Sequence, residues 1–246
     1  MCVLALAWRA HPDWRLVAAG NRDERHDRPA AALGRWMARE PARVPVIAGR
    51  DLVAGGTWLG LNEDGRFAAV TNVRGETPDP GKLSRGALVT DMLAGEEPED
   101  LDGYNPFNLI AVEPEGPMFL TNRPQPLRRP LGTGMHGLSN GLLDTLWPKT
   151  LRLQAGVAGW LAAGDADLEP LFAALADERP AGAPGRDEED GFEPVHSPVF
   201  IRNPVYGTRC STVVTVDAGG RGRIAERRFH GDGAPAGETE LRFYWP

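Results

Sequence analysis

Met1-Cys2-Val3-Leu4-Ala5-Leu6-Ala7-Trp8 places a cysteine in second position and runs it straight into an apolar stretch. With Trp14–Ala19 as a partner strand and His11-Pro12-Asp13 as the turn between them, this segment reads as the first hairpin of an antiparallel sheet. Removal of Met1 would put a thiol and a free α-amine on the same residue. An α-amine titrates near ~7.7–8.0 and a thiol near ~8.5, so that residue could supply both nucleophile and general base. A cysteine at the head of a strand also suits a small buried hydrophobe. The rest of the chain has to decide between the two readings.

Directly behind the second strand lies Gly20-Asn21-Arg22-Asp23-Glu24. If the hairpin forms, Asn21–Asp23 returns beside Cys2. A carboxylate there could orient an amine, and an arginine could lower a thiol pKa. Taken alone, the cluster reads as a charged turn. Asn72, after Thr71, and Asn140, between Ser139 and Gly141, stand where a side-chain amide could stabilise an oxyanion. The Gly55-Gly56-Thr57 segment could add a backbone N–H. Arg209 heads the β-branched run Thr208–Val216 and shares a face with Ser211 and Val213 by alternation, with Cys210 pointing the other way. If the Arg209 face is the one turned to the site, Cys210 is poorly placed to meet Cys2. Gly132-Thr133-Gly134-Met135-His136-Gly137 matches G-x-G-x-x-G, but no apolar strand precedes it and Val157 occupies the place of the acidic residue a dinucleotide needs. His26, His136 and His196 are isolated, so no metal site is expected.

Composition narrows the field. The net charge of −7 excludes a basic nucleic-acid footprint. Two cysteines rule out a disulfide framework and a four-cysteine zinc site. No stretch approaches the ~18 apolar residues of a membrane span, so stable membrane insertion is not expected. A cytoplasmic protein with reduced thiols is the default.

Further strands are expected at Arg43–Gly49, Thr57–Asn62, Arg66–Asn72, Phe107–Glu113 and Met118–Asn122, with Glu63-Asp64-Gly65 as a hairpin turn. A helix near Leu83–Ala94 carries Leu88, Val89, Met92 and Leu93 on one side. The arm Arg123–Pro130 holds three prolines and cannot be a central strand. Pro148 opens the clearest helix, with Leu151, Leu153, Val157, Trp160 and Leu161 at helical spacing, and Leu168–Asp177 forms another. Residues 180–194 read as a mobile loop. Strands return at Arg209–Asp217, Arg223–His230 and Glu240–Trp245. Strands, helices, then strands make an α+β pattern in a single domain spanning 1–246.

Asn21-Arg22-Asp23-Glu24 spells the NRDE signature. Met1-Cys2, Gly55-Gly56-Thr57-Trp58-Leu59-Gly60, Thr71-Asn72, Leu138-Ser139-Asn140-Gly141, Trp147-Pro148-Lys149 and Tyr206-Gly207-Thr208-Arg209 follow the same pattern in order. The chain thus resembles the NRDE family, which includes the transport and Golgi organisation protein 2 homologues. That family resembles N-terminal-nucleophile cysteine hydrolases such as choloylglycine hydrolase and penicillin V acylase. The resemblance implies an αββα four-layer sandwich of mostly antiparallel sheets. It implies Cys2 as nucleophile, Asp23 holding its α-amine, Asn72 at the oxyanion, Asn140 by the scissile group and Arg209 tuning the thiolate. Asn21, Arg22, Gly56 and Thr57 are implied as orienting or substrate-binding. The acylases carry an Arg just before the Asn of this loop, where this chain has Gly20 and places Arg22 after it instead.

Two functions follow as expectations. One is hydrolysis of a non-peptide C–N amide through a Cys2 thioester, with no cofactor required. The other, which the resemblance carries, is a non-catalytic carrier of haem or a lipid or acyl-CoA ligand in an apolar pocket, with haem as cargo.

Overall fold

A computed structural model describes residues 2–38, 44–144, 147–164, 166–180 and 197–246. These residues form two compact units. The segment expected to be a mobile loop lies, from residue 181 onward, outside the described residues, as do Met1 and His196.

The first unit contains residues 1–27 and 133–242. Its sheet is built from β1 (Val3–His11), β2 (Trp14–Arg25), β10 (Gly134–Leu138), β11 (Tyr206–Asp217), β12 (Arg221–Phe229) and β13 (Pro235–Tyr244), in the order β10-β1-β2-β11-β12-β13. β1 pairs antiparallel with β2 and β10, and β11 pairs antiparallel with β2 and β12. Alternation sends Val3, Ala5, Ala7, Val17, Ala19 and Val213 to one face, where they meet Leu153, Val157, Trp160 and Leu161 of α2 (Pro148–Ala163) and Leu171, Phe172 and Leu175 of α3 (Glu169–Leu175). Each fully buried Leu, Val or Phe contributes roughly 1.5–3 kcal/mol, so this face is the main stabilising term of the unit. Leu4, Leu6 and Leu16 on the opposite face are also fully buried, which explains why β1 reads as a continuous apolar run. Pro148 begins α2, and Gly164 ends it in the left-handed region at φ 67°. Leu151, expected on the apolar stripe, is instead exposed, because it falls outside the arc that faces the sheet.

The second unit contains residues 28–132 and 243–246. Its seven strands are β3 (Ala30–Ala38), β4 (Val44–Asp51), β5 (Leu59–Leu61), β6 (Phe67–Asn72), β7 (Phe107–Glu113), β8 (Gly116–Thr121) and β9 (Leu127–Pro130), ordered by sequence number across the sheet. α1 (Arg85–Leu93) lays Leu88, Val89, Met92 and Leu93 against Val46, Ala68, Val70 and Leu109. Ser84 caps it by accepting the Ala87 N–H at 3.1 Å. The proline-rich arm ends in β9, an edge strand, as the prolines require. Buried Asn122 fixes the loop before β7, donating to Leu101 O and Tyr104 O, both at 3.0 Å.

Candidate active site

The first unit assembles most of the polar residues singled out by the sequence. β2 does not end in a charged turn after Ala19. It continues as strand through Arg25, with β11 as its partner along Asn21, Arg22, Asp23, Glu24 and Arg25. Four polar residues can lie in the strand because the neighbouring elements satisfy them. Asn21 Nδ2 donates to Leu175 O and Val199 O, both at 2.9 Å, and its Oδ1 accepts from Ser211 Oγ at 2.7 Å. Its amide is therefore spent on tying the sheet to the end of α3, a scaffold task. Asp23 Oδ1 accepts from Thr208 Oγ1 at 2.7 Å, and Thr208 Oγ1 in turn accepts the Ile201 N–H at 2.9 Å.

Register fixes which side each residue faces. Val3 lies opposite Asn21 and Leu4 opposite Gly20. The two-residue alternation puts Asn21 and Asp23 on the helix-facing side, and Cys2, Gly20 and Arg22 on the other. Arg22 lies opposite Cys210 in β11. Cys210 points away from Ser211 and Val213, as the alternation has it, and so lies on the Cys2 side. The alternation breaks at a bulge: the β2–β11 register shifts between Thr208 and Cys210, leaving Arg209 as the extra residue and putting Thr208 on the Ser211 face instead. The Arg209 guanidinium donates to His26 O at 2.8 Å.

Cys2 is buried, with 8% of its surface exposed. Burial pushes its thiol up from the ordinary value, and the Asp23 carboxylate adds to the rise, while the Asp23 backbone N–H and the Arg22 charge work against it. Arg22, with Glu24 at 3.7 Å, is an arginine whose charge favours this thiolate. Cys210 is likewise pushed up, by burial and then by Glu226. Burial also raises Asp23, opposed by the positive amino end of the chain, by Lys149, by the Thr208 hydroxyl and by Arg22.

β10 brings up the third segment. Leu138 lies opposite Leu4, so the chain leaves β10 alongside Cys2, and Ser139 Oγ donates to Cys2 O at 2.7 Å. Buried Asn140 follows directly, with its Oδ1 at 3.4 Å from Ser139 Oγ. The G-x-G-x-x-G segment is therefore largely strand, not a strand-to-helix phosphate turn.

Asn72, Gly56 and Thr57 belong to the second unit. Asn72 ends β6, opposite Phe107. Gly56 lies where a Cβ would overlap the Gly86 carbonyl, and Thr57 Oγ1 donates to Leu59 O at 2.9 Å. Both hold the approach to α1. Sequence reasoning gave no role to Lys149 or Thr208, although both lie in motifs it quoted. Among the described residues no cluster of three or more His, Cys, Asp or Glu is arranged to hold a metal, and no helix is long and apolar enough to cross a membrane.

The α+β arrangement of mostly antiparallel sheets, with a buried cysteine ahead of the first strand, is a fold of the N-terminal-nucleophile hydrolase type. The fold is shared with the C2A mutant of conjugated bile acid hydrolase from Clostridium perfringens, at TM-score 0.53 and 10% identity, covering 97% of this chain and 92% of that one. The chain belongs to the Transport and Golgi organisation 2 family, whose profile matches residues 1–231. It is 33% identical over 271 residues to the Transport and Golgi organization protein 2 homolog of Bos taurus, covering 97% of each chain. The human homolog is 32% identical over 259 residues, covering 92% of each.

Proposed function

We propose that this protein is an N-terminal-cysteine amidohydrolase that cleaves a small non-peptide amide through a thioester on Cys2. One observation carries the reading: β2 extends past its apolar part, so that beyond Asn21, which lies opposite Val3, it carries the buried Asp23 to the Cys2 end of the sheet. A thiol raised by burial is a poor nucleophile at neutral pH unless a base takes its proton. In the proposed chemistry that base is the α-amine of Cys2, freed by removal of Met1 and held by Asp23. Cys2 Sγ attacks the amide carbonyl, and the C–N bond breaks as the amine returns the proton to the leaving nitrogen. Water then attacks the thioester, giving up a proton to the amine, and releases the acid. Asn140, carried next to Cys2 through Ser139, is the side-chain amide of this unit to which we assign the developing oxyanion. The chemistry uses no cofactor. A fold shared with a hydrolase of conjugated bile acids makes N-acyl conjugates the first substrates to try.

Intact mass spectrometry before and after limiting iodoacetamide at neutral pH tests the reading, followed by turnover of a panel of N-acyl amides. Loss of Met1, one fast alkylation on Cys2, and turnover abolished in a folded Cys2→Ala variant are the expected results. Retained Met1, or unchanged turnover in Cys2→Ala, would overturn it. Saturable haem or acyl-CoA binding without turnover would favour the carrier.

A further inference from the structure

Lys149 is a lysine in about the least favourable place the first unit offers. It is 1% exposed, although lysines are almost never fully buried unless paired. It is also the second residue of α2, at the positive end of the helix dipole, where a cation is disfavoured. Its neighbour Thr150 fills the space a Cβ on Gly137 would need, so this first turn is pressed onto β10 and cannot swing out to solvent. A charge kept there needs an anion nearby.

The helix-facing side of β2 supplies one. Asn21 marks that side, since its amide reaches Leu175 at the end of α3, and Asp23 lies two residues on, pointing the same way. We infer that Lys149 is the buried counter-ion of Asp23, a positioning residue that keeps this carboxylate charged and fixed at the Cys2 end of the sheet. The charge of Lys149 acts on Asp23 in the required direction, against burial. The other groups acting on Asp23 are the amino end of the chain, the Thr208 hydroxyl from β11 and Arg22 on its own strand; the Asp23 charge acts in turn on Cys2, the residue ahead of β1. Arg22 is shared with Glu24, which leaves Lys149 as the cation delivered by the helix layer. The consequence for chemistry rests on the proposed role of Asp23 in holding the amine, because a neutral Asp23 could not hold it. The ion pair itself does not depend on that role.

A double-mutant cycle of Lys149→Met and Asp23→Asn, followed by thermal unfolding between about pH 4 and about pH 8, tests the pair. Breaking a buried pair on one side should lower the Tm of either single variant at neutral pH by on the order of 10 °C. The double variant should be more stable than either. The sign with pH is fixed. Removing Lys149 raises the folded-state pKa of Asp23 further, so the deficit of Lys149→Met should be small near about pH 4 and grow as pH rises. If the single variants do not fold, a folded double variant gives the same answer. Additive losses with a deficit that does not change with pH, or an unfolded double variant, would overturn the inference. The cycle needs no substrate, so a coupled pair in a protein that turns over no amide would sink the proposed function and leave the pair standing.

Discussion

Cys2 and Cys210 lie on one side of the same sheet, both buried, yet their surroundings separate them chemically. Burial raises both thiols and the Arg22 charge lowers both; the positive amino end of the chain also works to lower Cys2, whereas Glu226 raises Cys210 further. Alkylation at limiting reagent should therefore map to Cys2 alone. The same argument assigns the tuning arginine. Replacing Arg22 with Met removes a cation that favours the thiolate, so the pH midpoint of Cys2 alkylation should move upward. Arg209→Met should leave that midpoint where it is, because the Arg209 guanidinium is engaged by the His26 carbonyl. Peptide mapping across a pH series checks both, and an upward shift in Arg209→Met would return the role to that residue. Gly20, where the acylases carry their Arg, and Arg22 are two residues apart in one strand. A shift of two preserves the face, so Arg22 lies on the same side of the sheet as Cys2.

At the scale of elements, α2 offers a controlled comparison. Gly156 and Gly159 sit in one helix, three residues apart. A Cβ on Gly159 would meet nothing within 4 Å, while one on Gly156 would come within 2.6 Å of Ala174 Cβ. Gly159→Ala should stabilise by about 0.5–1 kcal/mol from helix propensity. Gly156→Ala should cost about 1–3 kcal/mol by pushing α3 away. Denaturant midpoints decide, and two changes of the same sign would refute the packing argument. Legibility also differed by element. The β1–β2 hairpin, α1 and α2 were readable because their apolar residues recur at strand or helix spacing. β3 was missed because it is an edge strand with many exposed positions, and β10 because Gly-Met-His-Gly-Leu carries no period and is held as strand by β1. The end of β2 was misread as a turn. Its polar run is strand only because α3, the Leu175 and Val199 carbonyls and Thr208 satisfy it, and those partners lie more than 150 residues away. The candidate site residues were named through motif order, whereas Lys149 became visible only once its burial was known.

For the whole molecule, two sets of carboxylates pull the pH dependence in opposite directions. Hydrogen bonds from arginine hold Glu169, Asp177 and Glu240 below their ordinary range through Arg227, Arg179 and Arg223 respectively. A lowered folded-state pKa gives stability that is present above the unfolded value and lost as pH falls through the folded one. Asp23 is raised by burial and behaves the other way, gaining as pH falls. The first set lies at exposed or half-buried positions, so each pair is worth little alone. Net charge adds to their side: with 27 Lys and Arg against 34 Asp and Glu, neutralising the acids turns a chain of charge −7 strongly cationic, and self-repulsion follows. The acid-labile terms should win. Thermal unfolding should change little between about pH 8 and about pH 5, then fall steeply below about pH 4.5, where the carboxylates begin to protonate. In Asp23→Asn, which lacks this opposing carboxylate, the fall should be steeper than in the wild type. Scans at low and at high salt separate the contributions, because added salt screens the cationic repulsion and the surface pairs but leaves a buried carboxylate almost untouched. A wild-type Tm that rises on acidification would mean that the buried Asp23 site, not the surface pairs, sets the acid limit of the fold.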